Sequence, residues 1–190
     1  MNALTNPEVG DYLNRHFVSA VLKVGTFTLA NGQKQGGNVA SYFCTADGGV
    51  LHAIAGPVNA EAMLVEARWI VNARNLAVFE SKGNFQYYRE YIRRAHAERL
   101  SKEHGIDIQR LYRAYAATPL SPVDMFEKVS LNRLGVHDHG RASAGKDSGN
   151  QAQIHTLLVA YPLVKVEQIY KHVFERILGE KISTLPVQVR

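Results

Sequence analysis

The chain has 190 residues, and its 22 Lys and Arg against 17 Asp and Glu give a formal net charge of +5 at pH 7. With 46% hydrophobic and 21% charged residues it can bury a core, which excludes the disordered and collagen-like classes. No run of about 18 apolar residues occurs, and residues 1–11 lack the basic start and apolar stretch of a secretory signal. We therefore expect a soluble, cytoplasmic protein without a membrane span.

The first part of the chain mixes helix and strand patterns. A short amphipathic helix is predicted after Thr5, a good N-cap residue with Glu8 three positions later. Residues 17–24 (FVSAVLKV) are rich in β-branched and aromatic residues and almost continuously apolar, which predicts a strand buried on both faces. The glycine-rich residues 32–38 predict a loop.

A β-hairpin is the clearest local prediction. Residues 39–45 and 50–55 are strand-like and flank the turn Ala-Asp-Gly-Gly at 46–49. After Gly56 and Pro57, Asn59 caps a helix whose apolar positions recur at helical spacing to about Val78.

The remainder of the chain is predicted to be helical. One helix begins near Asn84 and ends at Gly105, and two more are predicted within residues 107–134. Residues 137–151 contain few apolar side chains and three glycines, which predicts a mobile loop. Helices resume over 154–161 and 166–177, and residues 182–189 predict an extended tail or an edge strand.

The first 78 residues resemble the C-terminal two-thirds of a thioredoxin-like domain. The resemblance lies in the helix before FVSAVLKV, the hairpin ASYFCTADGGVLHAIAG and the following helix VNAEAMLVEARWIV. It implies an α/β fold with an incomplete thioredoxin-like sheet of about three strands, flanked by helices. The implied organisation is a partial thioredoxin-like domain over residues 1–80 and a helical extension over 84–190.

The chemistry of the redox-active members of that family is missing here. Cys44 is the single cysteine, so there is no CxxC pair, and Val39 and Ala40 stand where those members place a cis-proline. Without two thiols, disulfide exchange has neither an attacking nor a resolving group. Cys44 lies within a predicted strand, where a small buried residue suits the position, and we expect it to be structural.

The resemblance therefore favours a protein that is not a dithiol enzyme, has no catalytic residue or cofactor, and acts through protein contacts. If no other segment of the chain replaces the missing central strand, an open sheet edge remains, at which a protein partner or a second copy of the chain would pair. The helical region is the other predicted place for such a contact. Two alternatives stay open. The chain is either a fragment of a thiol-disulfide oxidoreductase whose CxxC lies upstream, or a basic helical binder of nucleic acid or anions.

Two groups of side chains are candidate sites. His137, His139 and His155 are close in the sequence, and imidazoles are good ligands for zinc, copper or iron, although a solvated polar loop also explains them. Arg89, Arg93 and Arg94 lie in a tyrosine-rich helix and are candidates for contact with nucleic acid or anions. Acidic residues interrupt that helix, so a solvated helix face is the competing interpretation.

Overall fold

The structure is a computed structural model that describes residues 3–24, 28–30, 33–35, 38–107, 109, 146–183 and 188–189. Within these ranges it contains five α-helices and five short strands, which are listed here in chain order: α1 Pro7–His16, β1 Thr28–Ala30, β2 Gln33–Gln35, β3 Ala40–Cys44, β4 Val50–Ala55, α2 Ala60–Ser81, α3 Phe85–His104, α4 Lys146–Ala160, α5 Val166–His172 and β5 Gln188–Val189. A π-helical turn, Val173–Ile177, follows α5 directly. The predicted mixture of α and β structure is thus confirmed.

The N-terminal helix begins one residue later than predicted. The side chain of Asn6, not that of Thr5, accepts a hydrogen bond from the backbone N–H of Val9 at 3.3 Å. Pro7 occupies the first helical position, where its fixed φ and missing N–H are tolerated.

The predicted strand over residues 17–24 is wrong. This segment has no regular secondary structure, and Val18, Val21 and Leu22 are 100%, 95% and 79% exposed. Apolar β-branched composition favours a strand only where a neighbouring strand and a covering layer exist. Here the place beside β4 is taken by other residues: Val50 N–H donates to the Val164 carbonyl at 2.8 Å, and Val166 N–H donates to the Gly48 carbonyl.

The hairpin is confirmed. Strands β3 and β4 pair antiparallel, with Ala40 opposite Ala55 and Phe43 opposite His52. In the turn, Gly48 has φ +84°, a conformation that favours glycine, and the Thr45 hydroxyl accepts a hydrogen bond from Gly49 N–H at 2.9 Å. All six residues of β4 are buried, so this strand is the centre of the fold.

The short strands form a second, separate sheet in the order β2-β1-β5. Strand β1 pairs antiparallel with β2 and parallel with β5. The loop predicted over residues 32–38 is therefore wrong for Gln33–Gln35, whereas the edge-strand alternative for the tail is confirmed at Gln188–Val189. Both segments are strands because they pair with β1, and the composition of a segment does not specify its pairing partner.

The two long helices begin as predicted, and α3 also ends as predicted. The Asn59 side chain accepts a hydrogen bond from Ala62 N–H at 2.8 Å and caps α2. Asn84 caps α3 in the same way, and Gly105 ends α3 with φ +67°. Helix α2 continues to Ser81, three residues beyond the predicted end.

The predicted loop over residues 137–151 is wrong from Lys146 onward, where α4 begins. Gln151 donates a hydrogen bond from Nε2 to the Ala53 carbonyl at 2.9 Å, and Ala152 is buried. These contacts with the rest of the fold outweigh the low helix propensity of the Gly- and Ser-containing sequence. Residues 110–145, which include most of the two helices predicted within 107–134, lie outside the described residues.

The core is built on both sides of the hairpin. One buried group joins β4 to α4, α5 and the π-helical turn through residues such as Val50, Leu157 and Ile169. A second group joins the hairpin to α1, α2 and Ile92 of α3. Each of the two groups therefore contains residues from both sides of the predicted domain boundary at 80–84. No helix among the described residues has both the length and the apolarity needed to cross a bilayer.

Candidate metal centre

Three buried histidines meet in this core: His52 from β4, His96 from α3 and His155 from α4. Each is 0% exposed, and the ring centroids are 5.0 to 5.6 Å apart. One ring nitrogen from each histidine lies within 4.8 Å of those of the other two. This is the one group of three or more possible metal ligands among the described residues.

Local structure explains why these side chains point inward. On α3, Ile92 and Leu100 lie one helical turn before and after His96, and all three are fully buried on one helix face. His155 follows the buried Ile154 on α4, and the buried Leu158 lies three residues, about one helical turn, after His155. His52 lies within β4, in which every residue is buried.

The proton position on His52 is fixed by Glu66 on α2. His52 Nε2 lies 2.8 Å from Glu66 Oε2, and an ionised carboxylate only accepts hydrogen bonds. His52 Nε2 therefore carries the proton and donates. The other nitrogen, Nδ1, carries the lone pair; it is buried and has no hydrogen-bond partner.

The proton position on His96 is fixed by the backbone. His96 Nε2 lies 2.8 Å from the carbonyl oxygen of Leu51, which only accepts, so Nε2 carries the proton and Nδ1 the lone pair. His96 Nδ1 in turn lies 2.8 Å from Nδ1 of His155. Two nitrogens at this distance need a proton or a cation between them, and without a cation His155 Nδ1 donates. His155 Nε2 is then a second buried nitrogen without a partner.

Burial keeps all three imidazoles neutral at neutral pH. Removal from water is the main cause that lowers the pKa of His96 to about 3, and the positive charge of Arg99 acts in the same direction. Burial also lowers the pKa of His155 and of His52, and for His52 the hydrogen bond to Glu66 offsets part of the effect. Neutral imidazole is the form that binds metal ions, since its lone pair is free.

A buried ion pair supports the cluster from one side. Arg99 donates from both terminal nitrogens to the two oxygens of Glu66, at 2.6 and 2.5 Å, and from Nε to Glu103 at 2.7 Å. Burial would raise the pKa of Glu66, but its hydrogen bonds with His52 and Arg99 outweigh burial and lower that pKa to about 2. Glu66 therefore stays ionised and holds the His52 ring through a charge-assisted hydrogen bond.

Aromatic side chains enclose the cluster. The Trp69 ring is packed edge-to-face with all three histidine rings. Its centroid lies 5.0 Å from that of His52, 5.1 Å from that of His96 and 5.7 Å from that of His155. Phe43 is stacked with His52, and the Arg99 guanidinium lies 4.5 Å from the Trp69 ring centroid. The nitrogens thus lie away from the protein surface, where an unpartnered polar atom is costly.

Sequence reasoning found one of the three histidines. His155 is a predicted ligand, and the structure places it beside His52 and His96. His137 and His139 lie outside the described residues. His52 and His96 were missed, although each is a polar residue within an apolar pattern, the strand VLHAIA and the inner face of α3, and that is the pattern that could have found them.

The arginines of the predicted nucleic-acid or anion site do not join the histidine cluster. Arg93 lies 3.6 Å from Glu90, and Arg94 lies 3.6 Å from Glu98 on the same helix, while Arg89 is half-buried. Contact with nucleic acid or anions at these arginines stays a prediction. The Cys44 thiol is half-buried, and burial, with a contribution from Glu167, raises its pKa, which suits the expected structural role.

The three histidines and the Glu66 carboxylate thus form the candidate functional site among the described residues. Comparisons with protein-family models, curated proteins and solved structures found no match to this chain.

Proposed function

We propose that this chain binds a divalent transition metal ion, Zn²⁺, through His52, His96 and His155. The observation that carries the proposal is the pair of hydrogen bonds that sets the proton positions on His52 and His96. Glu66 and the Leu51 carbonyl hold the Nε2 protons of His52 and His96, so the lone pair of each ring is on Nδ1, inside one buried cluster. Histidine ligands of metals are commonly oriented in this way by a carboxylate or a carbonyl at the other ring nitrogen.

The spacing suits a small ion after a modest adjustment. Zinc–nitrogen bonds of about 2.0–2.1 Å in a tetrahedron place the nitrogens about 3.3 Å from one another. The Nδ1 atoms of His96 and His155 are 2.8 Å apart, and the whole set spans at most 4.8 Å. Changes of about 0.5–1.5 Å in side-chain position would therefore close the site around zinc.

The donor set also indicates which ions are excluded. Three neutral imidazoles suit zinc, copper, iron and nickel, whereas Mg²⁺ and Ca²⁺ prefer oxygen ligands. Three protein ligands, instead of the four of structural zinc sites, are typical of zinc sites with an open coordination position.

The competing explanation is a hydrogen-bonded core without metal. It leaves His52 Nδ1 and His155 Nε2 buried and unpaired, and each such group costs about 1–3 kcal/mol. A cation bound at the three Nδ1 atoms takes the lone pair of His52 and so removes this cost at His52.

The test is metal analysis of protein made without a histidine tag and purified after addition of Zn²⁺. We expect one bound zinc ion per chain, lost in His52→Gln, His96→Gln and His155→Gln. His16→Gln is the matched control, because His16 is an exposed histidine on α1, and it should keep the ion. Absence of zinc from the unmodified protein would contradict the proposal whether or not the variants fold, and so would zinc retained by all three folded variants.

A second candidate function is the predicted protein contact of a redox-inactive, thioredoxin-like scaffold. The supporting observation is the exposed apolar segment 17–24, which has the composition of a strand that pairs with another chain. The earlier expectations of a sheet edge, a helical-region contact and a thioredoxin-like scaffold belong to this proposal.

If a second copy of the chain pairs at this segment, sedimentation should show a dimer whose population rises with concentration. Val21→Asp should abolish it, because a charge on the contact is costly to bury. Val65→Asp, at an exposed apolar position on α2, should leave it unchanged. A monomer at every concentration would overturn this second proposal.

A further inference from the structure

We infer that Arg99 is a positioning residue of the three-histidine centre and controls its zinc affinity by holding Glu66 against the ligand His52. The inference rests on the proposed function, because it names a residue that acts on the same site from outside the ligand set. Arg99 lies on α3, three residues after the ligand His96, and its side chain is 10% exposed.

The contact between Arg99 and Glu66 fixes the plane of the carboxylate. The two terminal nitrogens of Arg99 donate to different oxygens, Nη1 to Oε2 at 2.6 Å and Nη2 to Oε1 at 2.5 Å. Oε2 is also the oxygen that accepts the hydrogen bond from His52 Nε2 at 2.8 Å. Because a two-point contact leaves the carboxylate little freedom to rotate, Arg99 determines where the acceptor for His52 lies.

Arg99 is itself held by two further contacts. Its Nε donates to Glu103, one helical turn later on α3, at 2.7 Å, and its guanidinium lies 4.5 Å from the ring centroid of Trp69. Trp69 in turn packs against the rings of all three histidines. The guanidinium therefore has a defined position beside the cluster, from which it can orient Glu66.

Helix α3 thus provides one ligand directly and orients a second one. His96 is the direct ligand, while Arg99 acts on His52 of β4 through Glu66 of α2. Loss of an outer contact that orients a metal ligand typically weakens metal binding by about 10–100-fold. The metal affinity should therefore depend on the shape of the side chain at position 99 as well as on its charge.

Lysine separates shape from charge at this position. It keeps the positive charge near Glu66, but its ammonium is a point charge without the planar fork that engages both carboxylate oxygens. We therefore expect Arg99→Lys to weaken zinc binding about tenfold, at the lower end of the range for such contacts, without leaving Glu66 as an isolated charge.

The experiment measures the zinc dissociation constant of the full, untagged chain by competition with a chromophoric chelator. Arg99→Lys should raise this constant about tenfold, whereas Arg68→Lys, at the exposed ion pair with Glu8, should leave it unchanged. In a Glu66→Gln background Arg99→Lys should have a much smaller effect, because its route to His52 passes through the carboxylate. Equal losses of affinity in both backgrounds would overturn the inference.

A second readout uses the metal-free protein, so it does not depend on the metal. The Nε2 proton of His52 is buried and hydrogen-bonded to Glu66, and it should give a resolved NMR signal. Arg99→Lys should shift or broaden that signal in the folded protein. An unchanged signal, or an unchanged zinc affinity, would overturn the inference and leave the metal site standing. Absence of zinc binding by the unmodified protein would overturn the proposed function and the inference with it.

Glu103→Leu keeps the inference falsifiable if Arg99→Lys does not fold. This change removes the acceptor of Arg99 Nε and should weaken zinc binding in the same direction. Glu98→Leu is the matched control, because Glu98 belongs to an exposed pair with the same spacing on the same helix, and it should leave zinc binding unchanged. Equal zinc affinity in these two variants would overturn the inference.

Discussion

Zinc is expected to raise the melting temperature of this protein by about 5–10 °C when it is present at about 100 times its dissociation constant. Binding to the folded state alone contributes about 2.7 kcal/mol at that concentration, and a chain of this size shifts by about 2–4 °C per kcal/mol. The ligands come from β4, α3 and α4, so the unfolded chain has no preformed site. Scanning calorimetry with Zn²⁺ and with a chelator measures the shift.

The controls separate coordination by histidine from general effects of added ions. His16→Gln should show the full shift, whereas His96→Gln should show none. Mg²⁺ at the same concentration should also have no effect, because it prefers oxygen ligands. Equal melting temperatures with zinc and with chelator would contradict the account, as would an equal shift with Mg²⁺.

Replacing Glu66 by Leu is expected to lower the free energy of unfolding of the metal-free protein by about 3–5 kcal/mol, because it leaves the Arg99 guanidinium buried without its bidentate partner. The side chains of Glu66 and Arg99 are only 14% and 10% exposed. Urea denaturation measures the effect. The same variant should bind Zn²⁺ about 10–100-fold more weakly, because nothing then holds the His52 ring by its Nε2 proton.

The exposed ion pair between Glu8 and Arg68 is the matched control. Its atoms are 2.7 Å apart, but the side chains are 66% and 55% exposed, so Glu8→Leu should cost less than about 1 kcal/mol. The double variant Glu66→Leu, Arg99→Met should be more stable than the sum of the single effects predicts, since both buried charges are gone. Similar losses at Glu8 and Glu66 would show that burial does not determine the effect.

The parts of the fold that the sequence predicts correctly are those that local chemistry determines. The Asp-Gly turn between β3 and β4, the Asn59 and Asn84 caps and the Gly105 end of α3 each depend on residues within a few positions. Their backbone conformations follow from the side chains present, so no knowledge of the remaining chain is required.

The wrong predictions share a dependence on distant partners. Residues 17–24 have the composition of a buried strand, but Val164 and its neighbours occupy the place beside β4. Conversely, residues 146–151 have the composition of a loop, yet contacts such as that of Gln151 with Ala53 accompany a helix there. Composition measures a preference, and the available partner decides the outcome.

The candidate site shows the same limit more strongly. His96 and His155 are separated by 59 positions, and His52 comes from a strand that precedes both. No spacing in the sequence marks them as neighbours, because packing of α3 and α4 against the hairpin brings them together. Nearness in the sequence instead grouped His155 with His137 and His139, which lie outside the described residues.

X-ray absorption at the zinc edge of the zinc-loaded, untagged protein tests the central claim most directly. The account predicts three imidazole nitrogens at about 2.0–2.1 Å, one light ligand in addition and no sulfur near 2.3 Å, with a spectrum altered in His96→Gln. A site with sulfur, a site with fewer than three imidazoles, or a spectrum unchanged in that variant would contradict the three-histidine centre.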